Sequence, residues 1–439
     1  MALERLTRNY LGFQVSFSLL FWLPVFYEVQ HRLGLTESQI FSIQGFYYLL
    51  FCLLELPTGW LADRFGSIRT LRAGAISLVA AQLAVVLGVG SSLDAVQVAG
   101  QKIGEGDPVV FSAYWAFVVH FALIAAARSL ISGASNAYLF EAYSAAGRVA
   151  EYVHAEGRAR AYGLFAKMGC WAVVGWLTQW NLLSSYWLTL GSAGVAVVYG
   201  FRLKELGHAQ AGVAGVLQKS AQPVPRPQIG EALVLVLKEP RILGLMVQGM
   251  GIFVLARIVQ VNLFQPLLLG RGFSTSSLGW VMALMTFFEA ASSLRLGSVL
   301  KRFQPEGSVS LLSAGVAVSV GSLAVVQGSG LVLLLVLFSA LIGFAGPIQR
   351  QVINQGISQA LSQIGRGSQL RATVLSLESL LDRAACSLVV ALMGPWVAAG
   401  HIGRVLAVSG LCFFVIACFQ LGAFRGRSQV EVKSEKIPG

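Results

Sequence analysis

Apolar residues run along this chain in long stretches, broken by short segments in which Gly, Pro, Arg and Lys gather. Two clear stretches, Ile40 to Leu61 and Thr70 to Gly90, have the roughly 20 residues that a helix needs to cross about 30 Å of hydrocarbon. Twelve such runs can be counted, centred near Leu20, Leu50, Ala80, Leu123, Ala172, Ala193, Leu255, Thr286, Ala317, Leu337, Leu381 and Leu411. Membrane strands would instead show alternating segments of about 10 residues, and these are absent from the pattern. The pattern predicts an all-α membrane protein of twelve transmembrane helices.

The polar breaks divide these runs six and six. The longest break, Arg202 to Arg241, holds the Pro-rich stretch Gln222-Pro223-Val224-Pro225-Arg226-Pro227 and reads as a linker. The expected organisation is a first six-helix half over residues 1–203, a cytoplasmic linker over 204–240, a second half over 241–426 and a disordered polar tail over 427–439. Glu231 to Lys238 is aliphatic enough for a short helix on the membrane surface. Ser91 to Pro108, with Asp94, Glu105 and Asp107, reads as a solvated connector. A weak internal repeat supports two pseudo-symmetric halves: Gly59 aligns with Gly297, and Arg160-Ala161-Tyr162-Gly163-Leu164 with Arg371-Ala372-Thr373-Val374-Leu375.

Composition sharpens the picture. The chain is 56% hydrophobic and 12% charged, against about 25% charged in soluble domains. A net charge of +12 would suggest a nucleic-acid partner in a soluble chain. Here most Lys and Arg sit in the loops of one side, and the opposite side holds Arg32, Lys102, Arg271 and Arg404. The positive-inside rule therefore puts both termini in the cytoplasm, in a multi-pass protein of the cell (inner) membrane with no nucleic-acid partner. The run near Tyr10 to Gln30 is long for a signal segment and lacks a cleavage pattern, so it is expected to stay as the first helix.

Candidate chemistry narrows the function. The five cysteines, Cys52, Cys170, Cys386, Cys412 and Cys418, lie in or beside predicted spans with no ligand spacing, so no disulfide, metal or cofactor is expected. Nucleophile-elbow, P-loop, zinc-protease and dinucleotide motifs are all missing, which argues against an enzyme. What stands out is charge inside the spans, where each ionised group costs about 2.5–3.5 kcal/mol on insertion scales. These residues are Glu28, Glu55, Arg128, Lys167, Arg257, Glu289, Glu378, Asp382 and Arg383, and spans three, six, nine and twelve carry none. Arg257, Glu289 and Asp382 lie nearest mid-span, with Glu289 as an expected partner for Arg257. His120 and Arg128, with Ser129, Ser132, Ser135 and Asn136, mark span four as amphipathic; such a face lines a cavity or packs on another helix. Glu378 and Asp382 are four apart and share a helix face, so each opposes the other's ionisation: either the pair exchanges a proton, or Arg128, Lys167 or Arg257 of a facing span pairs each acid and leaves an inert strut.

Between spans two and three lies Leu56-Pro57-Thr58-Gly59-Trp60-Leu61-Ala62-Asp63-Arg64-Phe65-Gly66-Ser67-Ile68-Arg69-Thr70-Leu71-Arg72, read as a tight basic turn at the cytoplasmic surface. Its core, Gly59-x-Leu61-Ala62-Asp63-Arg64-x-Gly66, resembles the signature of major facilitator superfamily transporters at this place. Ser67 and Ile68 stand where that family usually has two basic residues, and Arg69 and Arg72 are the nearest substitutes. The resemblance implies a gating role for Gly59, Asp63, Arg64, Gly66 and Arg72. It also implies such a role for Glu141, similar to the family's inner-gate acid and expected to pair with Arg72 or Arg69. Asp63 is expected to latch onto the start of span eleven near Ala372 and Thr373. Pro347 to Asn354, followed by Arg371-Ala372-Thr373-Val374-Leu375-Ser376, resembles bacterial multidrug and tetracycline-type exporters, although span five lacks their Gly-Pro pair. Together these features imply a monomeric secondary transporter with a small organic substrate, protons and the lipid bilayer as partners, working most simply by proton-coupled efflux. An uptake carrier or lipid flippase of the same fold, and a non-transporting membrane sensor, are the alternatives.

Overall fold

The computed structural model describes residues 2–99, 107–204, 229–295, 305–363 and 368–435, and these form helices and no strand. In chain order the helices are α1 (Ala2–Ser18), α2 (Phe26–Arg32), α3 (Glu37–Phe65), α4 (Ser67–Ala99), α5 (Pro108–Ala145), α6 (Val149–Trp180), α7 (Ser184–Arg202) and α8 (Ile229–Lys238). They continue as α9 (Pro240–Arg257), a π-turn (Ile258–Leu263), α10 (Phe264–Gly270), α11 (Thr275–Leu294), α12 (Pro305–Leu323), α13 (Ser329–Gln363), α14 (Ser368–Ala398) and α15 (Ile402–Glu435). Among the described residues seven spans are long and apolar enough to cross a membrane by length and composition alone. This is a multi-pass membrane protein.

Two compact units form. One gathers Met1–Pro225 with Leu268–Ala283 and Val390–Gly394; the other gathers Arg226–Leu267 with Leu284–Val389 and Pro395–Gly439. In the first, α4 packs on α5 and α7, and α1 packs on α6 and α7. Its core includes Tyr10, Phe13, Leu71, Ile131, Tyr138 and Leu139, all buried. In the second, α12 packs on α13 and α15, and α9 on α13.

The first predicted span is not continuous. Pro24 lacks an N–H and crowds the carbonyl four residues back, and the chain leaves the helix from Leu19 to Val25. Backbone groups at membrane depth must still be bonded. Ser192 Oγ donates to Leu19 O (3.1 Å), Trp171 Nε1 donates to Leu20 O (2.9 Å), and Phe21 N donates to Thr189 Oγ1 (3.0 Å). Side chains of α6 and α7 thus close the break.

Three further differences have local causes. The turn expected over Leu56 to Arg72 shrinks to Gly66, because α3 runs through Pro57 to Phe65 and α4 begins at Ser67. Gly66 has φ 87°, a left-handed conformation that suits glycine, and its N–H caps Ala62 O at 2.9 Å. α4 continues to Ala99 through the first half of the segment read as a solvated connector. α15 reaches Glu435 through the tail read as disordered, in a stretch after Gly426 that holds neither Gly nor Pro. The short helix expected before span seven is present as α8. The Pro-rich linker and the repeat around Gly297 lie outside the described residues.

Candidate functional site

The motif residues sit at the basic end of the first unit. Arg64 lies over the rings of Trp60 (5.0 Å) and Phe65 (5.7 Å). Gly59 faces open space, and the side chain of Asp63 lies outside the described residues. Arg72 does not engage Glu141. Its Nε donates to Gly200 O and its Nη2 to Leu203 O, both at 3.1 Å, and its guanidinium lies over Phe201 at 5.0 Å. A cation on the last carbonyls of α7 satisfies orphan acceptors and matches the helix dipole. Glu141 faces the Ser67 hydroxyl at the start of α4.

The polar face expected on span four divides in three. His120 is fully buried, with Nδ1 2.8 Å from Ala81 O. A carbonyl only accepts, so Nδ1 carries the proton. The rings of Phe121 (5.0 Å), Trp22 (5.1 Å) and Tyr186 (5.4 Å) surround it. Ser129 is nine residues on, about half a turn round the helix, and its hydroxyl bonds Thr58 at 2.6 Å. Ser135 bonds Tyr10 at 2.7 Å. His120 therefore belongs to the interior of the first unit rather than to one face with Ser129. Arg128 lies half-buried near the middle of α5. Glu28 is buried in a closed set: it accepts from Arg32 Nε (2.6 Å) and from Thr275 Oγ1 (2.9 Å), and Thr275 also accepts from Arg32 Nη2 (2.7 Å).

In the second unit, two polar groups stand out. In the first, Glu378 Oε1 and Gln349 Nε2 reach the backbone of α9 at Gly249, and a Cβ there would lie 3.3 Å and 3.1 Å from them. Gln349 Nε2 donates to Leu245 O at 2.5 Å. Asp382 lies one turn on, and among the described residues its Oδ1 is buried without a hydrogen-bond partner. Arg350 of α13 is the cation whose charge acts on both acids, and Arg383 also acts on Asp382 while donating to Ser379 O (3.2 Å). Sequence reasoning singled out the acids but missed Arg350, which sits inside the Pro347–Asn354 segment.

The second group surrounds the π-turn. Pro266 lacks an N–H and crowds the carbonyl of Asn262, which favours a wider turn just before it. Gln260, within the turn, donates from Nε2 to Glu289 Oε2 (2.8 Å) and to Ser339 Oγ (3.2 Å). Arg257 lies over Phe253 at 5.2 Å. The structure thus gives Glu289 the Gln260 amide as a partner, where the sequence suggested Arg257. Gln260, Asn262 and Ser339 are uncharged and escaped a search for buried charge; the proline in mid-span was the available signal. Among the described residues no group of His, Cys, Asp and Glu is placed to hold a metal.

The sequence model of the Major Facilitator Superfamily matches residues 9–381. No curated protein matches the chain. Among solved structures, the nucleoside transporter NupG is 15% identical with a TM-score of 0.71, covering 97% of this chain and 99% of that one. A D-xylose-proton symporter is 17% identical with a TM-score of 0.62, covering 95% and 96%. The peptide transporter POT in complex with sulfate is 15% identical with a TM-score of 0.64, covering 97% and 94%. At these identities the likeness establishes the fold.

Proposed function

We propose that this chain, which belongs to the Major Facilitator Superfamily, is a secondary active transporter that moves a small organic molecule by alternating access, coupled to protons and directed outward. The observation that carries the reading is the acid pair of α14. Glu378 and Asp382 share a face, Arg350 and Arg383 are the cations that act on Asp382, and Asp382 Oδ1 is buried without a hydrogen-bond partner among the described residues. A carboxyl group so placed can take up and release a proton as its surroundings change. Arg257 is a further candidate at mid-span in the same unit; in the first unit Arg128 is a candidate and the Asp63 motif is assigned the gating role. The working arrangement is a monomer in the cell (inner) membrane with both termini in the cytoplasm.

A second reading, uptake by proton symport, is favoured by the likeness to the D-xylose-proton symporter. One experiment separates the two. In proteoliposomes with an imposed pH gradient, screened with charged and neutral organic compounds, antiport moves substrate against the proton flow and symport moves it with the flow. Transport that ignores the gradient removes proton coupling altogether.

A further inference from the structure

The first and seventh spans are the corresponding helices of two six-helix repeats, and both are interrupted. Counted from Ala2 and from Pro240, the interruptions at Leu19 and Ile258 begin 17 and 18 residues in. Proline-interrupted spans at matching places in two repeats point to where such folds bind their ligands. π-turns inside helices likewise gather at functional sites.

In the second unit the backbone of this interruption is already closed by the i→i+5 bonds of the π-turn, and Asn262 Nδ2 adds a second donor to Arg257 O at 2.9 Å. What the turn offers is therefore the side chain of Gln260. A carboxylate only accepts, so the amide nitrogen of Gln260 must be the atom facing Glu289, and the same nitrogen reaches Ser339. Its amide hydrogens are spent on α11 and α13, and its carbonyl oxygen Oε1 remains to accept from elsewhere. The three residues lie at one depth. Gln260 is ten residues from Gly270, Glu289 fourteen from Thr275 and Ser339 ten from Ser329, or roughly 15–21 Å along each helix.

Resting on the transport reading, we propose that Gln260, held by Glu289 and Ser339, selects the substrate, and that the substrate is a neutral molecule carrying hydroxyl or amide N–H donors. Gln260 Oε1 presents an acceptor, so the ligand brings donors. Arg257, one turn before Gln260, disfavours a cation there, and Glu289 disfavours an anion.

The test is ligand-induced thermal stabilisation of the purified full-length protein. Inositol and uridine serve as neutral donor-rich probes, tetraphenylphosphonium as a cation and benzoate as an anion. A neutral probe is expected to raise the melting temperature. Gln260→Leu and Ser339→Ala are expected to weaken its binding by about tenfold and about fivefold, as losing a hydrogen bond does. If Gln260→Leu does not fold, Gln260→Asn, which is too short to keep the Glu289 contact, replaces it. Stabilisation by the cation or anion alone, or by no probe, overturns the ligand class. Neutral-probe binding within twofold of wild type in the Gln260 variant overturns the site. Because binding is read without transport, a protein that binds inositol or uridine through Gln260 but moves neither across a vesicle keeps the site and loses the transport reading.

Discussion

The side-chain amide of Asn262 donates to the main-chain carbonyl of Arg257, five residues back and 2.9 Å away. In an ordinary helix the carbonyl of Arg257 would take the N–H of residue 261. The π-turn moves that bond to the N–H of residue 262, and the side chain of Asn262 adds a second donor to the same carbonyl. Asn262→Asp keeps the volume and removes the second donor, so it should destabilise the protein by about 0.5–1.5 kcal/mol, as should Asn262→Leu. Melting curves in detergent check this. An Asn262→Asp protein that melts with the wild type would show that the turn closes without its side chain.

Arg72 holds the end of α7 by two carbonyls, Gly200 O and Leu203 O. Arg72→Ala should cost about 1–2 kcal/mol by leaving both acceptors and the helix dipole uncompensated. Arg72→Lys keeps the charge but loses the fork, so it should recover only part of the loss. The same melting measurement decides, and full recovery with Lys would mean that charge alone is used.

How much of this was legible beforehand varies with the kind of signal. Long apolar runs with basic ends announced the helices, because hydrocarbon thickness fixes their length. The motif around Gly66 announced the short turn, because its left-handed backbone suits glycine. Arg72 was flagged as a gate residue, but its contact with α7 could not be read, since carbonyls exposed at a helix end leave no mark in the sequence. Pro24 and Pro266 were visible, yet the runs around them were apolar enough to pass as unbroken spans. His120 and Ser129 were grouped by polarity alone, although nine residues separate them by half a turn. Gln260 and Ser339 were hidden for a simpler reason, since neutral polar groups are common in spans and only the fold shows which ones meet an acid.

Gly279 and Gly175 sit where α11 crosses α6 in the first unit. A Cβ on Gly279 would overlap the carbonyl oxygen of Trp171, and one on Gly175 would overlap that of Thr275. Backbone cannot step aside as a flexible side chain can. Gly279→Ala should therefore push the helices apart and destabilise this packing by about 1–3 kcal/mol. Melting and cross-linking yield between cysteines placed on α6 and α11 both report it, and unchanged yield with unchanged melting would remove the close crossing.

The last prediction concerns the acid pair of α14. Glu378 lies against the backbone of α9 at Gly249 beside Gln349, whereas Asp382 is one turn farther from the basic end, sixteen residues before Ala398, or about 24 Å along the helix. The neighbouring charges are Arg350, which acts on both acids, Arg383, which acts on Asp382, and each acid on the other. An acid bound permanently to a cation is a strut, but one whose oxygen lacks a hydrogen-bond partner can change its proton occupancy at smaller structural cost. Asp382 fits the second description better, because its Oδ1 is the oxygen left without a partner among the described residues. Asp382→Asn should accordingly abolish the response of transport to an imposed pH gradient while leaving exchange of substrate across the vesicle intact. Glu378→Gln should weaken the response by removing the charge beside Asp382. Arg350→Gln should shift the pH at which transport is half-maximal, since it removes a cation that favours the charged acids. Gradient-driven uptake and counterflow, measured on the same vesicles for all three variants, separate coupling from movement. Full gradient dependence in Asp382→Asn would take the proton site away from α14.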